Sequence, residues 1–193
     1  MARPLYPELQ AGRVYRTRDL ERWTANAPRL AKRLASKGLL LPLAHGLFAA
    51  PEPSRFGAVP PSDEALMRAF LDDTPFVFTG PPRWNALGLG TTAVFADTLV
   101  YNTKRSGRFV FGGRPFLLRR VAFPHPAPSE WFVVDLLEHA DQAASSRRAL
   151  EPRLVDALAR GRFDRDKLAD MAARFGTRET HALVARALGR RAA

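Results

Sequence analysis

"RVYRTRDLERWTANAPRLAKRLASKGLLLPLAHGLFAA", residues 13–50, is the stretch that decides the fold. Val14 and its neighbours suit a short extended segment. Thr17 is placed to cap "RDLERW", in which Leu20 and Trp23 share a face at i, i+3. "TANA" (24–27) reads as a turn. Asn26 can cap the next helix, and Pro28 suits its first turn. Leu30 and Leu34 fall at i, i+4 beside Ala27, Ala31 and Ala35, a narrow apolar stripe. Gly38 fits the position just past a helix end. "LLLPL" (39–43) and "LFAA" (47–50) then read as two short strands around a tight turn, closed by Pro51. Helix, turn, helix, hairpin is the order of a winged helix-turn-helix.

The second of these helices carries Arg29, Lys32, Arg33 and Lys37 and no acid. Arg29, Lys32, Arg33 and Ser36 recur at i, i+3, i+4, i+7, so they line one face beside the leucine stripe. A basic face of this kind is either plain solvated surface or the face that enters a DNA major groove. There arginine makes bidentate contacts to guanine, and lysine or serine holds phosphates.

Charge favours the second reading. The 193 residues carry a formal net charge of +11, a prior for a polyanionic partner. Only 4 of the 30 basic residues are lysine, and an arginine-rich composition also follows from a GC-rich genome. Position is more informative. Residues 1–55 hold 10 Lys+Arg against 4 Asp+Glu, residues 56–144 hold 8 against 9, and residues 145–193 hold 12 against 6. The excess lies at the two ends, where genome bias alone would spread it.

With 46% hydrophobic and 25% charged residues, the composition is that of a soluble globular chain. No cysteine is present, which excludes disulfides, thiolate zinc sites and a cysteine nucleophile. No apolar run approaches the roughly 18 residues a membrane helix needs, and "MARPLYPELQ" lacks the apolar stretch of a signal peptide. The expectation is a cytoplasmic protein with no membrane partner.

"PEPSRFGAVPP" (51–61), with four prolines and a glycine, reads as an extended linker between domains. The expected division is a winged helix-turn-helix over 1–52, a linker over 53–61 and a C-terminal domain over 62–193. "SDEALMRAFL" (62–71) is a capped helix, "PFVFTG" (75–80) a buried strand and "PPRWNALGLG" (81–90) a short helix opened by prolines. Residues 93–103, 108–113 and 115–123 read as an antiparallel meander. From Pro128 onward four helical segments follow. The fold class is therefore α+β, with a small antiparallel sheet and a helical C-terminal tail.

A catalytic constellation is hard to find. The histidines, His45, His125, His139 and His181, make no metal-ligand pair at i, i+4. Asp135 and His139 in "DLLEH" come nearest to an acid–base pair, and their plain reading is a helix surface or a local salt bridge. "GLGTT" and "FGGRP" do not fit a phosphate-binding loop, and there is no G-x-S-x-G. Trp84 and Trp131 suit the core better than a base-stacking platform. "RRALEPRLVDALARGRFDRDK" (147–167) reads first as a salt-bridged helical surface and second as another nucleic-acid or acidic-partner contact. No enzymatic activity, metal or cofactor is expected.

"GRVYRTRDL" and "RLAKRLASKGLLLPLAHGLFAAP" resemble the N-terminal winged helix of AbiEi-type antitoxins, from bacterial type IV toxin–antitoxin (abortive-infection) systems. Val14, Asp19, Leu20, Leu34, Gly38, Gly46, Leu47, Phe48 and Pro51 fill the family pattern, and "FTGPPRWNALGL" (78–89) resembles its motif after the linker. The resemblance implies a repressor that binds inverted repeats at its own promoter. It also implies a C-terminal domain that counters a nucleotidyltransferase-like toxin without a stable complex. The implied DNA-contacting residues are Arg29, Lys32, Arg33, Ser36 and Lys37 of the recognition helix (27–37), together with Asn26, Arg16, Thr17, Arg18 and His45. Arg16 and Arg18 would clamp phosphates at a helix N-terminus. Two departures stand out. The region before Val14 leaves room only for a small or irregular first helix, and the wing turn has Ala44 and His45 where basic residues are common in the family. Whether such a chain acts as cooperative monomers or as a dimer stays open. The main alternative is a protein-interaction module whose C-terminal domain neutralises a partner. An enzyme centred on Asp135, Glu138 and His139 is a third possibility.

Overall fold

A computed structural model describes residues 8–55 and 57–189. The protein is α+β and divides into two compact units, Met1–Phe76 with Arg108–Pro115, and Val77–Gly107 with Phe116–Ala193.

In the first unit, β1 (Val14–Arg16) leads into a four-residue 3-10 turn (Thr17–Leu20) and then α1 (Ala27–Ser36). β2 (Leu41–Ala44) and β3 (Leu47–Ala49) follow, and the sheet order is β1-β3-β2, antiparallel throughout. This is the helix–turn–helix–hairpin layout, with its first helix reduced to a single 3-10 turn. Residues 8–13 contain no helix. The small first helix expected before Val14 otherwise falls on residues 1–7, outside the described residues.

The caps explain the boundaries of α1. Asn26 Oδ1 accepts the Arg29 N–H at 3.1 Å, satisfying an orphan donor of the first turn. Gly38, at φ +70°, ends the helix in a left-handed conformation that costs other residues roughly 1–2 kcal/mol. The expected cap of the preceding turn is corrected. Arg16, not Thr17, occupies the capping position, and its N–H is held by the Asp19 carboxylate at 2.7 Å. The extended conformation of β1 persists through Arg16, and the Thr17 N–H donates to the Gly46 carbonyl at 2.9 Å. The core here comprises Tyr15, Leu20, Ala27, Leu30, Ala31, Leu34, Leu40 and Ala50, with Trp23 and Phe48 packed against it.

Part of the expected linker is structured. β4 (Glu52–Ser54) and β5 (Gly57–Val59) form an antiparallel two-stranded ribbon in which Pro53 lies opposite Ala58. In such a ribbon each strand is an edge, so a proline's missing N–H is tolerated. α2 (Asp63–Phe70) follows, capped by Ser62 as expected. The first unit is completed by residues 108–115, where the Gly112 N–H donates to the Leu43 carbonyl at 3.0 Å and Phe70 packs edge-on against Phe109 and Phe111.

A four-stranded sheet has the order β6-β7-β9-β8, formed by β6 (Phe76–Thr79), β7 (Thr98–Asn102), β8 (Gly107–Phe111) and β9 (Arg114–Arg120). The antiparallel meander expected for these strands is not what forms. β7 and β9 are parallel neighbours, with Thr98 opposite Phe116, and β8 takes the outer position. β7 is buried along most of its length, as an interior strand is, whereas β8 alternates covered and exposed residues, as an edge strand does.

The second unit centres on α4 (Ser129–Glu138), whose residues from Glu130 to Leu137 are all buried. α3 (Pro81–Ala86), α5 (Arg147–Ala159), α6 (Arg165–Phe175) and α7 (Arg178–Ala187) surround it. α4 also supplies caps to its neighbours. Glu130 Oε1 accepts the Asp164 N–H before α6 at 2.9 Å, and Glu138 Oε1 accepts the Thr177 N–H before α7 at 2.7 Å. Burial works against charge on Glu138. Hydrogen bonds from Thr180 and Thr177 and the charge of Arg147 nonetheless hold its carboxyl below the usual carboxylate range.

The basic helical tail largely engages itself. Arg147 meets Glu138 and Glu179, Arg160 meets Asp156, Arg174 meets Asp170 and Arg186 meets Glu151. Two further arginines close the end of α3. Arg153 Nη1 donates to the carbonyls of Leu89 and Gly90 (3.1 and 2.9 Å), and Arg162 Nη2 donates to that of Leu87 at 2.7 Å. Gly90 has φ +76°, and a Cβ there would sit 2.3 Å from Arg153 Nη1. Gly90→Ala is therefore expected to lower stability by about 1–2 kcal/mol from backbone strain alone, plus the lost arginine contacts. Urea unfolding should show a smaller loss in an Arg153→Ala background, where the displaced contacts are already gone.

Candidate nucleic-acid interface

α1 divides sharply in exposure. Ala27, Leu30, Ala31 and Leu34 are buried, while Arg29, Lys32, Arg33 and Ser36 are exposed. The sequence spacing thus brings these four side chains onto one outward face. The Ser36 hydroxyl donates to the Arg33 carbonyl at 2.9 Å, so its proton is used within the helix and its oxygen faces outward as an acceptor. Lys37 is the exposed C-cap of α1 and Asn26 its exposed N-cap.

The wing turn is the two-residue link His45–Gly46 between β2 and β3, with Ala44 opposite Leu47. His45 is exposed, and Thr17 lies beside the turn through its bond to Gly46. Arg16 and Arg18 sit differently from the phosphate clamps expected of them. Both guanidiniums pair with the Asp72 carboxylate just beyond α2. They line a groove of about 440 Å³ with Arg13, Asp19, Glu64 and Arg68 among others. Asp72 and Asp73 both adopt positive φ, +58° and +55°, uncommon for residues with a side chain and better tolerated by Asp than by most. Nothing in the local sequence marks Asp72, because its partner Arg18 lies 54 residues away.

The second unit holds a polar cluster that the sequence suggested only in part. Asp135 is buried, and its Oδ2 accepts from the Thr79 hydroxyl and from Trp84 Nε1 at 2.8 Å. His139 Nδ1 lies 2.8 Å from the Asp135 carbonyl and 3.3 Å from its Oδ1. The ring stacks on Trp84, 5.7 Å between centroids. Nε2 faces Tyr101 Oη at 3.3 Å and Arg119 Nη1 at 3.4 Å. Glu138 points elsewhere, to the start of α7, so the expected Asp135–Glu138–His139 grouping does not assemble.

The Asp135 carboxylate raises the His139 pKa above its usual 6.5; burial opposes this, and the Asp135 carbonyl adds to it. A raised folded value gives stability that is fully present below the ordinary value of about 6.5 and is lost as pH rises above it through the raised folded value. His139→Gln is expected to flatten this component of the stability–pH curve, measured by urea unfolding between pH 5 and 9. Burial, and then the charge of Asp135, keep the Tyr101 hydroxyl protonated well above its ordinary range.

No family model and no curated protein sequence matches the chain. Among solved structures, the crystal structure of the RV2827C protein from Mycobacterium tuberculosis is similar. Its TM-score is 0.56 at 15% identity, over 92% of this chain and 71% of that one. A likeness at that identity concerns the fold. No helix of the described residues is long and apolar enough to cross a membrane.

Proposed function

We propose that the protein is a DNA-binding transcriptional autoregulator and antitoxin of the AbiEi type, cytoplasmic and without enzymatic activity. α1 enters the major groove of inverted repeats in its own promoter. The observation that carries this reading is the outward face of α1. Three cations and a hydroxyl are exposed together on a helix whose other side is locked into the core of a helix–turn–helix–hairpin unit. Arginine and lysine on such a face bind phosphates and guanine edges. The C-terminal unit is assigned the antitoxin role, against a nucleotidyltransferase-like toxin, on the sequence resemblance alone.

Binding to the protein's own upstream DNA, followed by fluorescence anisotropy, tests the reading. The logarithm of affinity should fall linearly with the logarithm of salt concentration, at about −0.9 per phosphate neutralised. A salt-independent interaction, or none, would sink it and favour a protein-docking module instead.

Asp72 adds a specific expectation. Its carboxylate sits where Arg16 and Arg18 would otherwise be available to a phosphate. Asp72→Asn should raise DNA affinity several-fold and steepen the salt slope by up to about 1.8, two phosphates' worth. Stability should change by no more than about 1 kcal/mol, as for other partly exposed ion pairs. Unchanged affinity and slope would show that Arg16 and Arg18 serve the fold only.

A further inference from the structure

The cluster around His139 has an open side. Tyr101, Arg119, Asp135 and His139 line a cavity of about 170 Å³ whose other walls are Val121, Ala122, Trp131, Val134 and Phe175. All of these residues belong to the second unit. We propose that this cavity binds a small molecule bearing a carboxylate or phosphate group, with the anionic oxygens seated against Arg119, Tyr101 and Nε2 of His139.

The orientation of the imidazole makes the argument. Nδ1 faces two acceptors, the carbonyl and the Oδ1 of Asp135, so it carries a proton. Stacking on Trp84 fixes the plane of the ring. Nε2 is thereby aimed at Tyr101 Oη and Arg119 Nη1, at 3.3 and 3.4 Å. Both separations exceed the roughly 2.7–3.2 Å of well-made hydrogen bonds. A neutral imidazole offers one lone pair to these two donors, and a charged one offers none. Tyr101 also engages Arg119 and Asp135, so the three groups hold one another only through long, shared contacts, and an oxyanion in the cavity would give Arg119 and Nε2 a stronger acceptor than they give each other.

The charge balance agrees. Asp135 is the one acid in the cluster, and its Oδ2 already takes the donors of Thr79 and Trp84. With His139 protonated, two cations face one carboxylate and the set is net positive. With His139 neutral, that excess is gone. The charged groups facing the imidazole are Asp135 from its own helix and Arg119 from β9, and Tyr101 of β7 stays protonated. α3 presents Trp84 and α6 presents Phe175, neither of which titrates. Size limits the ligand, because pockets for drug-sized molecules run to roughly 300–1,000 Å³. The apolar walls suit a short hydrocarbon body behind the anionic group.

This inference is independent of DNA binding. It is tested on the full chain by NMR, following the His139 ring resonances, which are assigned by their loss in His139→Gln. Sodium acetate, inorganic phosphate, sodium chloride and neutral acetamide are titrated at pH 6. The expected result is a saturable shift at millimolar acetate or phosphate, with none from chloride or acetamide. The preferred anion then identifies the ligand class. For acetate, affinity should weaken about tenfold as pH rises through the raised His139 value and the ring loses its proton. Arg119→Gln should lower affinity at least tenfold, the usual worth of a charge-assisted hydrogen bond. Tyr101→Phe, which keeps the ring and removes only the hydroxyl, should lower it several-fold with the fold preserved. The proposal is overturned if neither anion gives a saturable shift, if chloride shifts the resonances equally, or if both variants bind like the wild type.

Discussion

Asp135→Ala is expected to destabilise the second unit by about 3–5 kcal/mol, the cost of breaking a buried charged cluster by removing one partner. The carboxylate is nearly inaccessible and serves three elements at once. It takes the Thr79 hydroxyl at the end of β6, Trp84 Nε1 in α3 and, through Oδ1, the imidazole one turn along α4. Removing it orphans the indole N–H of a tryptophan that is 0% exposed. Each donor left unsatisfied costs about 1–3 kcal/mol. His139 Nδ1 keeps the Asp135 carbonyl and loses less. Asp135→Asn retains an acceptor and should cost distinctly less than Asp135→Ala. Urea unfolding followed by Trp fluorescence measures both. A loss below 1 kcal/mol for the alanine variant would mean that the cluster is not a structural hub.

The second large effect concerns affinity. Arg29→Ala/Arg33→Ala is expected to weaken binding to upstream DNA by about 100-fold or more, because one good bidentate base contact is worth roughly 1–3 kcal/mol. Both side chains are exposed, so the fold should be retained within about 0.5 kcal/mol. The salt dependence separates two roles. If the arginines hold phosphates, the log–log slope becomes shallower by about 1.8 and all sequences lose affinity alike. If they read bases, discrimination between the operator and unrelated DNA falls while the slope stays nearly constant.

Local chemistry made the first unit legible. Asn26, Gly38 and the Leu30/Leu34 spacing set the ends and the buried side of α1, and each acts within a few residues of itself. Pro51, Pro53, Pro60 and Pro61 point to an extended linker because proline is excluded from interior strands, but a two-stranded ribbon has only edges and accepts Pro53 within 52–59. The strand order of the four-stranded sheet is hidden for a related reason. Hydrophobic runs reveal that β7, β8 and β9 are strands but do not say which of them pair. "TLVYN" and "GRFVF" each hold three consecutive apolar residues, so the interior and the edge strand look alike in sequence and separate only by their burial in the fold.

The polar cluster was half visible. The i, i+4 spacing of Asp135 and His139 marked one helix face, but Thr79, Trp84, Tyr101 and Arg119 reach it from separations of 20 to 56 residues. Only the tertiary fold brings them there. Asp72 was invisible for the same reason, since its partners lie on the other side of the first unit's sequence. Glu138 shows the converse. It looked like part of a catalytic group and instead caps α7.

The most direct test of the central claim is a hydroxyl-radical footprint on the DNA immediately upstream of the protein's own gene, with wild type and Arg29→Ala/Arg33→Ala side by side. Protected patches on an inverted repeat, about one helical turn apart and lost in the double variant, are expected if α1 is the recognition helix. Uniform weak protection of any DNA, equal for both proteins, would contradict it and leave the basic face of α1 as solvated surface.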